Sequence, residues 1–450
     1  MARTDPPLHR LPALARRGLV LGAPLALAGC GLSKYWFGAR QIPLPGKRLP
    51  VLVQQHGLVV DHDAPPVTIP AATDDTDWAQ PGGTPAHAGG NLALSANPGL
   101  AWRADTGAGT GYRQRITAAP VVAGGRVFTM DADAVVRAFS AKDGSLIWRA
   151  STRAKGDRST NVGGGIAFAG GTIYATTGRG DAVAFAAETG KRVWAARLHG
   201  AARSGPTVVE DRLFVALLGD ALVALSRKDG KMLWSHQAAQ VDFSSLGEPA
   251  PAYADGVLVA GFGSGDLLAL RGVSGIVLWG DSLASASGRG AVGALSAVRG
   301  MPAISDGQVF AVSLGGSAVA DDLRAGRRLW SRDITSSESP WVAGNYVYFA
   351  TQDARVAAVS TADGRIAWVT QLEAFTDPKV KKHPVLWHGP VMAGGRLLVV
   401  GEQGKGAWLD PLKGTLLGEM ALSSGAAVAP VVAGGTLYVV TMDGALSAYR

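Results

Sequence analysis

"AKDGSLIW", residues 141–148, ends on a tryptophan four positions after a turn glycine. The phrase returns as "AETGKRVW" (187–194), "RKDGKMLW" (227–234), "GVSGIVLW" (272–279), "LRAGRRLW" (323–330) and "TADGRIAW" (361–368). One chain that places a tryptophan in the same register six times is building an architecture, since chemistry rarely needs six copies of anything. A second phrase precedes each copy: "PVVAGGRVF" starts at Pro120, with relatives at Pro206, Pro251, Pro302, Pro340, Pro390 and Pro430 and a proline-free copy at Ile166. Their starts are 38 to 51 residues apart. A period of that size belongs to propeller blades, each a four-stranded antiparallel sheet.

Each unit supplies the strands. In residues 118–151, "APVVA" turns at Gly124-Gly125 into "RVFTMD", and "AVVRAFS" turns at Asp143-Gly144 into "SLIWRA". Glycine admits positive φ at such turns, and Asp-Gly is among the strongest hairpin signals. Large apolar residues alternate with small or polar ones, and helical periodicity is missing, so the chain is predicted all-β. The 61 glycines among 450 residues fit a fold made of many tight turns.

A blade buries neither face alone; neighbours around a ring bury both. Trp148, Trp194, Trp234, Trp279, Trp330 and Trp368 are therefore expected as a girdle bridging each blade to the next, not as ligand platforms. Gly418 holds that register in the seventh copy and leaves one station without an indole. The chain stops at Arg450 in "GALSAYR", one strand short of an eighth blade, and "GLAWRAD" with Trp102 has the character to supply it. The expected fold is an eight-bladed propeller of four-stranded antiparallel blades, closed by an N-terminal strand; seven blades remain if one weak copy is an insertion. Closure removes exposed sheet edges.

The amino terminus has a different character. Arg16 and Arg17 precede a short apolar run ending in Leu27-Ala28-Gly29-Cys30. That is the pattern of a secretory signal, too short to span as a mature anchor. Cys30 is the only cysteine, and it stands where the bacterial lipobox places a lipidated residue. We expect a lipoprotein signal peptide over 1–29, then lipidated Cys30 with a Pro/Gly-rich tether and lead-in loop over 30–92, then the propeller over 93–450. Removing residues 1–29 takes three units from the formal charge of +8. The mild surplus left is spread along the chain without the basic face that nucleic acid requires. A lone cysteine excludes an internal disulfide, so the core must carry stability.

The tryptophan phrase resembles the docking repeat of the quinoprotein-type propellers. Joined to the lipobox, the tether and eight blades, residues 27–450 resemble the BamB family of outer-membrane assembly lipoproteins. "RQRITAAPVVAGGRVFTMDADAVVRAF" (113–139) and "PWVAGNYVYFAT" (340–351) are similar to alphaproteobacterial members in particular. The resemblance implies a non-enzymatic scaffold at the periplasmic face of the outer membrane, binding the POTRA domains of BamA and other machinery components. It implies no cofactor and no small-molecule substrate. It further implies that the contact includes the segment before the fourth blade. Here that segment carries Phe243, Leu246, Gly247 and Glu248, without the arginine of the family pattern.

Two rival functions stay open. A dehydrogenase using pyrroloquinoline quinone and Ca²⁺ would need a catalytic aspartate, oxygen ligands for calcium and commonly a vicinal cysteine pair, and the last is absent. A propeller lipoprotein serving a different envelope complex would share every feature above. "DADA" at 131–134 lacks the rest of a calcium loop, and His383 with His388 lacks the further ligands of a zinc site. "TGAGTGYRQR" (106–115) has no helix after it to cradle a phosphate and is predicted as a loop leading into the first blade. The basic insertion around Lys379–Lys382 is expected as a solvated loop, and Asp321-Asp322 interrupts a strand for no reason visible in the sequence.

Overall fold

Seven times the chain lays down four strands in sequence, each hydrogen-bonded antiparallel to the one before. In the computed structural model these blades occupy residues 121–151, 164–197, 207–237, 252–282, 303–332, 341–371 and 387–421. The structure describes residues 58–239, 249–284 and 296–450, and no helix occurs among them. The eighth blade takes three strands from 431–449 and its fourth, Leu100–Asp105, from the other end of the chain. Trp102 pairs with Ala448 and Asp105 with Ala445 across that closure. Gly99 and Arg450 exchange backbone hydrogen bonds beyond it. The eight sheets form a ring.

The residues that seal one blade to the next are those of the repeated phrase. Within a blade, the tryptophan of the outer strand lies opposite an alanine of the third strand, as in Ala138↔Trp148 and Ala224↔Trp234. The small alanine lets the indole reach an aromatic one strand further in: Phe128 meets Trp148 at 5.9 Å and Tyr348 meets Trp368 at 5.9 Å. Between blades, the indole N–H crosses to a backbone carbonyl in the next blade's outer turn. Trp102 donates to Ala141, Trp148 to Ala187, Trp194 to Arg227, Trp234 to Gly272, Trp279 to Leu323, Trp330 to Thr361 and Trp368 to Pro411, at 2.8–3.1 Å.

The turn glycine exists for the same contact. A Cβ at Gly144 would stand 2.5 Å from Trp102, one at Gly275 2.6 Å from Trp234, and one at Gly414 2.5 Å from Trp368. Each of these glycines also has positive φ. The glycine and tryptophan of one phrase thus never meet each other; each meets its counterpart in the adjacent blade.

The seventh blade departs from the pattern: Gly418 leaves that station without an indole, and a Cβ there would meet nothing within 4 Å. Gly418 lies directly opposite Trp408, which occupies the third-strand position that is alanine elsewhere. Trp408 is buried with the Arg396 guanidinium 4.4 Å above its ring. The third and fourth strands of the eighth blade meet across Gly99 and Arg450 and not through an outer turn.

Residues 58–92, expected as tether and lead-in loop, pack against the ring. Between Asp75 and Leu92 the chain visits the innermost strand or first turn of every blade, in ring order. Gly434 N–H of the eighth blade donates to Asp75 O, Trp78 exchanges two bonds with Val122, and Phe168 N–H donates to Ala79 O. Val208 N–H donates to Gln80 Oε1, Tyr253 N–H to Pro85 O and Ile304 N–H to Ala86 O. Gly90 N–H then donates to Val342 O and Leu92 N–H to Met392 O. This strap gives the inner strands hydrogen-bond partners that a bare ring would leave to water.

Candidate functional site

The strap makes the central channel blind. A cavity of about 450 Å³ lies on the ring axis, floored by Trp78, Gln80, Pro81 and His87 of the strap. Trp78 stacks on Trp341, with centroids 6.1 Å apart and planes 9° apart, and Trp341 Nε1–H holds Gly90 O at 2.8 Å. His87 is fully enclosed, its Nδ1 2.8 Å from Pro302 O. Burial pushes its pKa down to about 4, although the Pro302 carbonyl acts the other way. The imidazole is therefore neutral at pH 7, as a floor without a nearby carboxylate requires.

Besides Arg115, Arg203 and Arg299, the wall carries a histidine held between two glutamates. Glu338 comes from the segment before the sixth blade, and His388 and Glu402 from the seventh. His388 Nδ1 is 3.2 Å from Glu338 Oε1, Gly389 N–H donates to Glu338 Oε2 at 3.1 Å, and His388 Nε2 is 3.8 Å from Glu402. Burial alone would lower the His388 pKa, but the two carboxylates outweigh it and raise it to about 9. The cluster ties two neighbouring blades together as a carboxylate–imidazolium–carboxylate array.

Among the described residues, no group of three or more His, Cys, Asp or Glu side chains is arranged to hold a metal ion. Asp131 and Asp133 do structural work instead: Asp131 accepts from Asp133 N–H and Val135 N–H and pairs with Arg137. Asp322 caps the following turn by accepting from the Arg324 and Ala325 amides. Asp321 is fully buried at the seam with the fourth blade, and both its carboxylate oxygens lack a hydrogen-bond donor. Burial and the nearby Asp281, offset in part by Arg328, raise its pKa to about 7.

Each outer strand hands over to the next inner strand at the open end of the channel, so the long connections surround its mouth. Phe243, Leu246, Gly247 and Glu248 lie outside the described residues, as does Cys30. The flanking Pro249 and Ala250 line the cavity. The basic insertion forms a short hairpin, Phe375–Asp377 with Lys382–Pro384, whose tip residues are exposed. "TGAGTGYRQR" is the connection into the first blade, and its Arg115 lines the mouth.

Sequence reasoning found the girdle because it repeats. It missed the strap, whose only signal was a tryptophan in a Gly/Pro-rich stretch. It also missed the His388 cluster, whose glutamates lie 50 and 14 residues from the histidine.

Comparison with known proteins bears on the whole ring. The family model described as outer membrane protein assembly factor BamB matches residues 67–161, 132–370 and 375–450. The Escherichia coli K12 assembly factor BamB is 32% identical over 208 residues, 45% of this chain and 51% of that protein. Its Yersinia pestis counterpart is 29% identical over 251 residues, covering 56% and 62%. The matched region thus spans about half to three-fifths of these relatives' length. Among solved structures, BamB from Moraxella catarrhalis superposes with a TM-score of 0.66 at 18% identity, covering 76% of this chain and 99% of that one. Quinohemoprotein alcohol dehydrogenase from Comamonas testosteroni also gives 0.66, at 14% identity, with coverage of 84% and 81%. These likenesses establish the shared propeller and do not separate the two functions, whereas the family match, which runs from the strap to the last blade, does: the chain belongs to the BamB family of outer membrane protein assembly factors.

Proposed function

We propose that this protein is a non-catalytic scaffold of the outer-membrane β-barrel assembly machinery. In this reading it is anchored through lipidated Cys30 at the periplasmic face of the outer membrane and binds the POTRA domains of BamA. The observation that carries it is the family match over nearly the full ring and strap. The blind channel supports it, since a polypeptide cannot thread a hub floored by the strap, which leaves the rim connections to grip a partner.

Phe243 and Leu246 are the apolar anchors of the proposed contact, with Gly247 and Glu248 setting its register. Anchors of this kind typically dominate binding energy, at 2 kcal/mol or more each. Phe243→Ala with Leu246→Ala is expected to weaken binding of purified POTRA domains by at least about thirtyfold, read by calorimetry, at unchanged circular dichroism. Wild-type affinity in that variant would remove the 243–248 segment from the interface.

A further inference from the structure

The connection into the first blade holds an aromatic and two cations in water with nothing to bind. Tyr112 is 99% exposed, more than any other large hydrophobic side chain among the described residues. Arg113 and Arg115 are exposed beside it, and neither has an ion-pair partner among the described residues.

The loop that presents them is built firmly. Thr106 N–H donates to Gly444 O at 2.8 Å and Thr110 N–H to Met442 O at 2.6 Å, both on the eighth blade. Ala132 N–H on the first blade donates to Ala108 O at 3.0 Å, and Ala108 N–H donates to Asp131 Oδ2 at 3.2 Å. Gly111 N–H closes the turn on Gln114 O at 2.7 Å, and Thr117 Oγ1–H reaches Gly164 O on the second blade at 2.9 Å. Three blades thus fix a short turn whose tip is Tyr112. A side chain presented on a pre-ordered turn loses little backbone entropy on binding.

We propose that Tyr112, Arg113 and Arg115 form a docking element for a carboxylate-bearing segment of a partner polypeptide. Tyrosine and arginine are the residue types enriched where interfaces concentrate their energy. Guanidinium groups recognise carboxylates bidentately, with geometric specificity as well as charge. The surroundings choose between classes of anion. Asp133 and the exposed Asp443 lie on the two adjoining turns, so the local field is mixed. An extended polyanion such as an anionic lipid surface draws on four to eight clustered cations and meets repulsion from those acids. A discrete aspartate or glutamate on a protein loop needs only the two arginines. The inference names no assembly machine and holds for any polypeptide partner, so it stands or falls apart from the 243–248 contact.

The test places a photo-crosslinking p-benzoylphenylalanine at position 112 of the full-length chain in its native envelope, with residues 243–248 unaltered, and maps the adduct by mass spectrometry. The expected adduct is a polypeptide segment with an aspartate or glutamate within three residues of the crosslinked site. Arg113→Glu with Arg115→Glu should cut its yield at least tenfold while the melting temperature stays at wild type. Arginine in place of the mapped acid on the partner should restore the yield. Should the charge reversal unfold the protein, Arg113→Gln with Arg115→Gln is expected to give the same fall. An adduct to lipid alone, an adduct to a segment without acids, a yield indifferent to the arginines, or no adduct would each overturn the proposal.

Discussion

Gly275→Ala tests why the repeated phrase carries a glycine four residues before each tryptophan. At φ +71° an alanine meets left-handed backbone strain of about 1–2 kcal/mol. Its Cβ would also stand 2.6 Å from Trp234 of the preceding blade, and overpacking of that kind costs about 1–3 kcal/mol. The combined loss is about 3–4 kcal/mol. Gly256, in the same blade, separates the two causes: its φ is +83°, but a Cβ there would touch nothing within 4 Å. Gly256→Ala should therefore cost only the backbone part, about 1–2 kcal/mol. Combining Gly275→Ala with Trp234→Ala closes a cycle, and with the indole gone the glycine substitution should fall to the Gly256 figure, a coupling of about 2 kcal/mol. Reversible chemical denaturation followed by far-UV circular dichroism reads all four stabilities. Equal costs at Gly256 and Gly275, or a coupling near zero, would refute a glycine–tryptophan hand-over between blades.

Other substitutions and conditions bear on separate parts of the account. Trp408→Ala should cost about 3–5 kcal/mol by the same assay, because its indole is buried in the seventh blade; a loss below about 1 kcal/mol would show that it carries little packing. His87 has a folded pKa depressed to about 4, so its contribution is complete above pH 6.5 and is lost as pH falls towards 4, a swing of about 3 kcal/mol. Denaturation at pH 7 and pH 4.5 should thus differ more in wild type than in His87→Gln, and identical pH slopes would contradict this. Asp321→Leu places at the fifth blade the residue that the third, fourth and seventh carry there as Leu225, Leu270 and Leu409. Because the folded pKa is raised to about 7, the penalty for ionising Asp321 is complete above that pH. At pH 8 the variant should be at least about 1 kcal/mol more stable than wild type, and destabilisation would contradict it. Cys30→Ser should move the protein from the membrane pellet to the soluble fraction at unchanged circular dichroism; unchanged sedimentation would count against lipid anchoring.

What was legible in the sequence follows from which interactions repeat. Trp148 and Gly144 could be read because the same short-range pattern recurs in successive copies, and a ring forces its copies into equivalent contacts. Trp102 could be placed in the eighth blade because a missing strand leaves a countable gap. The strap was not legible, since it meets each blade through one or two hydrogen bonds from irregular chain, with no side-chain period to betray them. Trp408 lies opposite Gly418 on the paired strand, which appears only once the register is known. Glu338, His388 and Glu402 come from different strands or connections and meet only when two blades close on the channel. Tyr112 was visible as a loop residue, yet its full exposure depends on three blades pinning the turn beneath it.

The proposal that this ring grips other proteins of the outer-membrane assembly machinery is best tested by affinity purification of the full-length chain from detergent-solubilised outer membranes, with quantitative mass spectrometry. An outer-membrane barrel protein that carries POTRA domains should be recovered in near-stoichiometric amount. Recovery with an unrelated envelope complex, or as a lone protein carrying a tightly held quinone, would overturn the proposal.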